Sequence, residues 1–181
     1  MKFKKSALPE VLVIEPDIFG DDRGFFMETW QRNKFREGGI DMDFVQDNHS
    51  KSGRGILRGL HYQLMNPQGK LVRVIIGKIY DVAVDLRKQS PTFGKWIGEY
   101  LSDSCKKMLW IPPGFAHGFY VVSEVAEVCY KCTDYYAPDH ERSIIWNDPD
   151  LAIDWPLFDS QQPILSEKDK CGKLLMEADV Y

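Results

Sequence analysis

The stretch Lys70–Arg87 reads KLVRVIIGKIYDVAVDLR, and its reading decides the fold class. Val72, Val74 and Ile76 alternate with Arg73 and Ile75; beyond Gly77-Lys78, Tyr80, Val82, Val84 and Leu86 alternate with Asp81, Ala83 and Asp85. A period of two marks pleated strands, because successive side chains leave a strand on opposite faces. Two such runs around a glycine predict a hairpin. Working outward, further strands are predicted at 11–15, 24–30, 43–48, 56–63, 95–101, 107–111, 117–122 and 125–136, separated by FGDDRG, NPQG, KQSPTFG and IPPG as turn signals. Helical patterning is confined to 31–38 and to the end of the chain after LSEKD. Many short strands at this spacing indicate a sandwich or barrel, not a βαβ sheet.

With 181 residues the chain is expected to form one domain over 1–181, long enough to close a core without staples. A hydrophobic content of 44% beside 28% charged residues is ordinary for a globular protein, and no apolar run approaches the ~20 residues of a membrane span. The apolar patch near the start is cut by Pro9 and Glu10, which argues against a secretory leader, and a cytoplasmic location is expected. A net charge of -4 argues against a broad nucleic-acid surface but leaves room for a local cationic pocket. Cys129 and Cys132 match CxxC, yet they fall in a strand, where positions three apart point to opposite faces. With no second CxxC, neither redox chemistry nor zinc is expected there.

The stretch Gly55–Gln63, GILRGLHYQ, sets Arg58, His61 and Gln63 in a strand that otherwise belongs in the core. Each such group left unpaired away from water costs on the order of 1–3 kcal/mol, so a ligand is implied. Gly55, His61 and Gln63 together resemble the first motif of cupin barrels, and Pro112-x-Gly114-x-x-His117 resembles the second. The resemblance implies a jelly-roll β-barrel with short peripheral helices. Metal-binding cupins supply three histidines and a glutamate. Here Gln63 replaces one histidine, Pro67 or Gln68 stands where the glutamate belongs, and Val121 takes the last ligand position. Two imidazoles without a carboxylate make a poor cation site, so no metal and no other cofactor is expected. Lys70, Arg58, His117 and Tyr130 still fall in or beside inward-facing strands, more proton-active hardware than a core tolerates without a ligand. His49 and His140 lack such company and read as ordinary polar positions.

The stretches DDRGFFMETW, FVQDNHSKS, LRGLHYQ, PQGKLVRVIIGKIYDVAVDLRKQSPTFGKW, WIPPGFAHGF, YKCTDYYAPDHERSIIWNDPDLAIDWP and LSEKD span nearly the whole chain in order. Together they closely resemble the dTDP-4-dehydrorhamnose 3,5-epimerases of deoxysugar biosynthesis. That family reaction makes sense of the residues. A 4-keto sugar carries acidic C–H bonds on both carbons flanking its carbonyl, and epimerisation needs a base, a stabiliser for the enolate oxygen, and an acid on the opposite face. His61 fits the base, since imidazole titrates near pH ~6.5. The resemblance implies Asp169 as its orienting partner. Lys70 fits the cation at the oxyanion and Tyr130 the acid.

For the nucleotide, the resemblance implies diphosphate contacts from Arg58 and Lys168, with Arg23, Phe26, Glu28, Gln46, Asp47, Asn48, Gln63, Tyr136 and Glu141 around the rest of the substrate and His117 binding it. Alternation puts Arg58 and His61 on opposite faces, so Gly59 is expected to mark a bulge or twist if both reach one ligand. The resemblance also implies homodimers in which N-terminal strands cross to the partner, which places some of the Arg23–Glu28 contacts in the neighbouring chain's pocket. Two rivals remain open. One is an epimerase acting at a single carbon of a related dTDP-4-keto-6-deoxysugar; the other is a non-catalytic cupin that binds nucleotide sugars.

Overall fold

The computed structural model describes residues 1–158 and 162–181. Its strands are β1 (Lys2–Lys5), β2 (Leu12–Glu15), β3 (Ile18–Asp21), β4 (Gly24–Met27), β5 (Gln46–Gly53), β6 (Leu57–Gln63), β7 (Lys70–Ile76), β8 (Lys78–Asp85), β9 (Trp96–Ser102), β10 (Met108–Ile111), β11 (Phe115–Val121), β12 (Val125–Cys132) and β13 (Glu141–Ser143). Two short helices accompany them, α1 (Arg32–Glu37) and α2 (Glu167–Lys170). A six-stranded sheet runs β1-β2-β10-β7-β12-β5, a five-stranded sheet runs β13-β6-β11-β8-β9, and β3 and β4 pair as a separate hairpin.

The all-β expectation stands, but the closed jelly-roll barrel is corrected. Among the described residues neither sheet closes on itself; β1 and β5 are the edges of one, β13 and β9 of the other. The cupin-like motifs report which side chains face inward, and an open two-sheet sandwich shares that property with a barrel. The expected hairpin at Gly77 is also corrected: β7 and β8 lie in different sheets and do not pair. The chain turns a corner there. Gly77 takes φ +83°, its N–H donates to Asp103 Oδ2 at 2.7 Å, and a Cβ at this position would meet the Val125 carbonyl oxygen. Alternation shows that two strands flank the glycine but is blind to which partner each one finds.

Both faces of β8 are covered along most of its length, each for a different reason. Ile79 and Ala83 join Val72, Val74, Leu109, Ile111, Val128 and Phe119 in the core between the sheets. Val82, Val84 and Leu86 point outward and are covered by Ile144, Trp146, Leu151, Trp155 and Leu175 from the C-terminal segment. On the outer face of the six-stranded sheet, Phe35 of α1 packs with Leu12, Ile14, Leu71, Met108 and Trp110. The inter-sheet space is thus apolar where aliphatic side chains fill it and open where polar side chains face one another, and that opening is a cavity.

Candidate active site

A cavity of about 600 Å³ lies between the sheets, and Arg58, His61 and Gln63 of β6 all line it. The conflict with simple alternation is resolved at Gly59. The pairing of β6 with β11 shifts register between His117↔His61 and Phe119↔Arg58, so an extra residue is accommodated and both side chains face inward. Leu57, Leu60 and Tyr62 turn to the opposite, apolar face. Only glycine suits the bulge: Gly59 has φ +119°, and a Cβ there would lie 2.5 Å from Gly118 Cα.

His61 Nε2 lies 2.5 Å from Asp169 Oδ1. Asp169 is buried at the third helical position of α2, where Ser166 caps the helix: the Ser166 hydroxyl donates to Asp169 Oδ2 at 2.7 Å and accepts from the Asp169 N–H at 3.2 Å. Burial pushes the Asp169 carboxyl up, but the hydrogen bonds from His61 and Ser166 outweigh it and hold the group below the usual carboxylate range. An ionised Asp169 only accepts, so Nε2 carries the imidazole proton and Nδ1 is left as the basic nitrogen. Burial lowers the His61 pKa below its ordinary 6.5, against the pull of Asp169 and aided by Lys168 and Lys70. The ring is therefore neutral at neutral pH.

His117, the cross-strand partner of His61, forms a second such pair, with Nε2 at 3.0 Å from both oxygens of the fully buried Asp81. The facing wall comes from the other sheet. Lys70 of β7 and Tyr130 of β12 line the same cavity. Tyr130 pairs with Val72, two residues from Lys70, so the two project from adjacent strands on one face. Burial lowers the Lys70 pKa, opposed by Cys132, Glu141 and Asp81, and burial raises that of Tyr130, which keeps the phenol protonated. Gln46, Asn48 and Ser50 continue this wall along β5. At the mouth, Lys168 pairs with Glu141 at 2.5 Å, and the Tyr136 hydroxyl donates to Glu141 at 2.8 Å. Arg58 donates from Nε to Ser52 Oγ at 2.9 Å.

The cavity therefore gathers His61, Lys70, Tyr130 and Asp169 with Gln46, Asn48, Arg58, Gln63, His117, Tyr136, Glu141 and Lys168. Four expected residues stand outside it. Asp47 alternates to the outer face and pairs with Lys131 at 2.9 Å; Glu28 pairs with Lys34 at 2.8 Å; Arg23 pairs with Asp21, and Phe26 sits on the exposed β3–β4 hairpin. Ser166 and Asp81 were not singled out from the sequence. Ser166 was legible as the cap of a Ser-x-x-Asp signature in LSEKD. Asp81 lies in the alternating run, in register opposite Phe119 of the His117 strand. Among the described residues no cluster of three or more His, Cys, Asp or Glu side chains could hold a metal ion. Cys129 borders a separate outer hollow while Cys132 is buried and accepts from Asn48 Nδ2, so the CxxC thiols do face apart.

Comparison with known proteins places this geometry. The family model described as dTDP-4-dehydrorhamnose 3,5-epimerase matches residues 5–177. A dTDP-4-dehydrorhamnose 3,5-epimerase of Pseudomonas aeruginosa is 58% identical over 182 residues, covering 100% of this chain and 99% of the relative. A dTDP-6-deoxy-D-glucose-3,5-epimerase of Legionella pneumophila, solved in complex with dTDP-4-keto-L-rhamnose, superposes with a TM-score of 0.95 at 54% identity, covering 98% of this chain and 94% of that one. A dTDP-4-dehydrorhamnose 3,5-epimerase of Elizabethkingia anophelis superposes with a TM-score of 0.92 at 46% identity, covering 98% and 97%.

Proposed function

The chain belongs to the dTDP-4-dehydrorhamnose 3,5-epimerase family, an isomerase that converts dTDP-4-dehydro-6-deoxy-D-glucose to dTDP-4-dehydro-L-rhamnose on the route to dTDP-L-rhamnose, and we propose that His61, Lys70 and Tyr130 divide that reaction as base, cation and acid. One observation carries the division of labour: the oriented imidazole stands on the five-stranded sheet, while the lysine and the phenol stand on the opposed sheet across the cavity. A substrate ring lying between the sheets meets a base on one face and a proton donor on the other. His61 Nδ1 takes the proton from carbon 3 or 5, the electron pair moves into the carbonyl, and the enolate oxygen is met by the Lys70 ammonium. Tyr130 then protonates the carbon from the far face, and the carbonyl re-forms with that centre inverted. Asp169 holds the His61 tautomer and stabilises the imidazolium that forms. Incubation with dTDP-4-dehydro-6-deoxy-D-glucose in deuterated water tests the reading by NMR. Deuterium and inversion are expected at both flanking carbons, and label at one carbon alone would reduce the activity to single epimerisation.

The diphosphate lies against Arg58 and Lys168, with Gln46 and Asn48 toward the nucleoside and His117 on the sugar. Ser52 fixes the Arg58 guanidinium, and Lys168 exchanges its Glu141 partner for phosphate. Charge-assisted hydrogen bonds of this kind contribute roughly 1.5–3 kcal/mol each. Arg58→Ala is therefore expected to weaken dTDP binding about 10- to 100-fold by calorimetry, and the affinity of the unaltered protein to fall as salt rises. Unchanged binding in Arg58→Ala would remove the diphosphate from this end of the cavity.

The functional unit is a homodimer of one-domain chains with N-terminal strands crossing to the partner. Support comes from the β3–β4 hairpin, which leaves Phe19, Phe25 and Phe26 at 65%, 57% and 69% exposure, an unusual apolar tip that meets the Lys106 ammonium over the Phe25 ring and otherwise stands open to a partner. Arg23, Phe26 and Glu28 then serve the partner's cavity, with Asp47 at the shared rim. No described helix is long and apolar enough to cross a membrane, and a cytoplasmic site of action accords with a nucleotide-sugar substrate.

A further inference from the structure

Three glutamine side chains converge on one short backbone segment. Gln68 Nε2 donates to the Asp134 carbonyl at 2.9 Å, Gln63 Nε2 to the Tyr135 carbonyl at 3.2 Å, Gln46 Oε1 accepts from the Tyr136 N–H at 2.9 Å, and Gln63 Oε1 accepts from the Ala137 N–H at 2.9 Å. Four consecutive residues are thus each held by a side-chain amide. Gln63 alone holds two of them, and its second Nε2 proton goes to the Asn66 carbonyl at 2.9 Å. It is only 4% exposed. Both its donors are used and its oxygen is already accepting, so its amide is committed to protein backbone.

The segment so held lies between β12 and β13 in no regular structure, and a loop of this kind left to water would sample many conformations. Within it, Tyr136 is the residue that lines the cavity, its ring half-exposed at the mouth and its hydroxyl tied to Glu141. We propose that Gln63 is a positioning residue: it fixes the 134–137 backbone so that the Tyr136 ring stands as a ready wall for the flat heterocycle of the nucleotide, and it does not touch the ligand itself. This reassigns Gln63 from the substrate contact expected of it, and it rests on the nucleotide-sugar reading above. A wall already in place spares the ligand the ordering of a loop, so the device acts on affinity and leaves the proton transfers alone.

A double-mutant cycle on the full chain tests this, with dTDP binding read by calorimetry and turnover read separately. Gln63→Leu is expected to weaken dTDP binding about tenfold with kcat within about twofold, while in a Tyr136→Ala background the same change adds less than about twofold. Equal losses in both backgrounds, or a fall in kcat at unchanged affinity, would overturn the proposal. Gln63→Glu supplies a second reading that does not depend on the leucine variant folding. It keeps the acceptor for Ala137 but sets a carboxylate against the Asn66 and Tyr135 carbonyls. Its deficit relative to the unaltered protein is expected to narrow as pH falls and the carboxyl regains a donor; a deficit that ignores pH counts against the clamp. Failure of the unaltered chain to bind dTDP would overturn the function itself, whereas an additive cycle in a chain that binds dTDP overturns this inference alone.

Discussion

His61→Ala, incubated with dTDP-4-dehydro-6-deoxy-D-glucose in deuterated water, is expected to lose both solvent exchange and epimerisation at carbons 3 and 5 by a factor of at least about 100, the usual scale for a positioned general base. Every later step depends on the enolate, and the enolate depends on this proton leaving. The nearest imidazole on the same wall, His117, is tied through Nε2 to Asp81 and is placed here on the sugar, not at the proton that leaves. The pH profile adds a signature. The base must be neutral to accept a proton, and burial holds the His61 pKa below 6.5. As pH falls, kcat/KM is therefore expected to survive past 6.5 and to drop only below it, a limb that vanishes with His61. Normal exchange in His61→Ala would transfer the base role elsewhere, with His117 the first residue to test.

How much of this was legible in the sequence depends on whether a property is local. The alternation in Lys70–Arg87 announced two strands, and both exist. It could not announce that Gly77 throws them into different sheets, because pairing partners lie far along the chain: β7 joins β10 and β12. The strand spacing left sandwich and barrel both open, and the closed barrel came from the likeness to cupin motifs, which report inward-facing side chains and not how the edge strands pair. The strand expected at 43–48 begins at Gln46 and runs on to Gly53, where charged residues on its exposed face hid the pattern. At the site, Gly59 was readable because two functional side chains three positions apart demanded a bulge. Asp81 was not, because a carboxylate in an alternating strand looks like a solvent-facing residue until His117 is seen beside it. Gln63 shows the limit most clearly. Its residue type fitted a ligand contact, and only the backbone groups brought to it by a distant loop reveal how its amide is spent.

Tyr130→Phe should fail in a different way from His61→Ala, and that difference carries the assignment of acid against base. The substitution keeps the ring that packs beside His117, at 6.5 Å between centroids, and removes only the hydroxyl. His61 and Asp169 stay in place, and Lys70 still meets the enolate oxygen from the adjacent strand. Carbanion formation therefore continues, and His61, now carrying deuterium exchanged from solvent, can return it to the face the proton left. Exchange with retention is the expected product. Inversion needs delivery from the opposite sheet, where the buried phenol, its pKa raised by desolvation, is the group that holds a proton at neutral pH. Recovered substrate scored by NMR for label and for configuration should show deuterium at near-normal rate with net epimerised product falling at least about 100-fold, the scale of a lost general acid. Inversion of both carbons at the normal rate in Tyr130→Phe would mean that a second donor reaches that face, and the role given to Tyr130 could not stand.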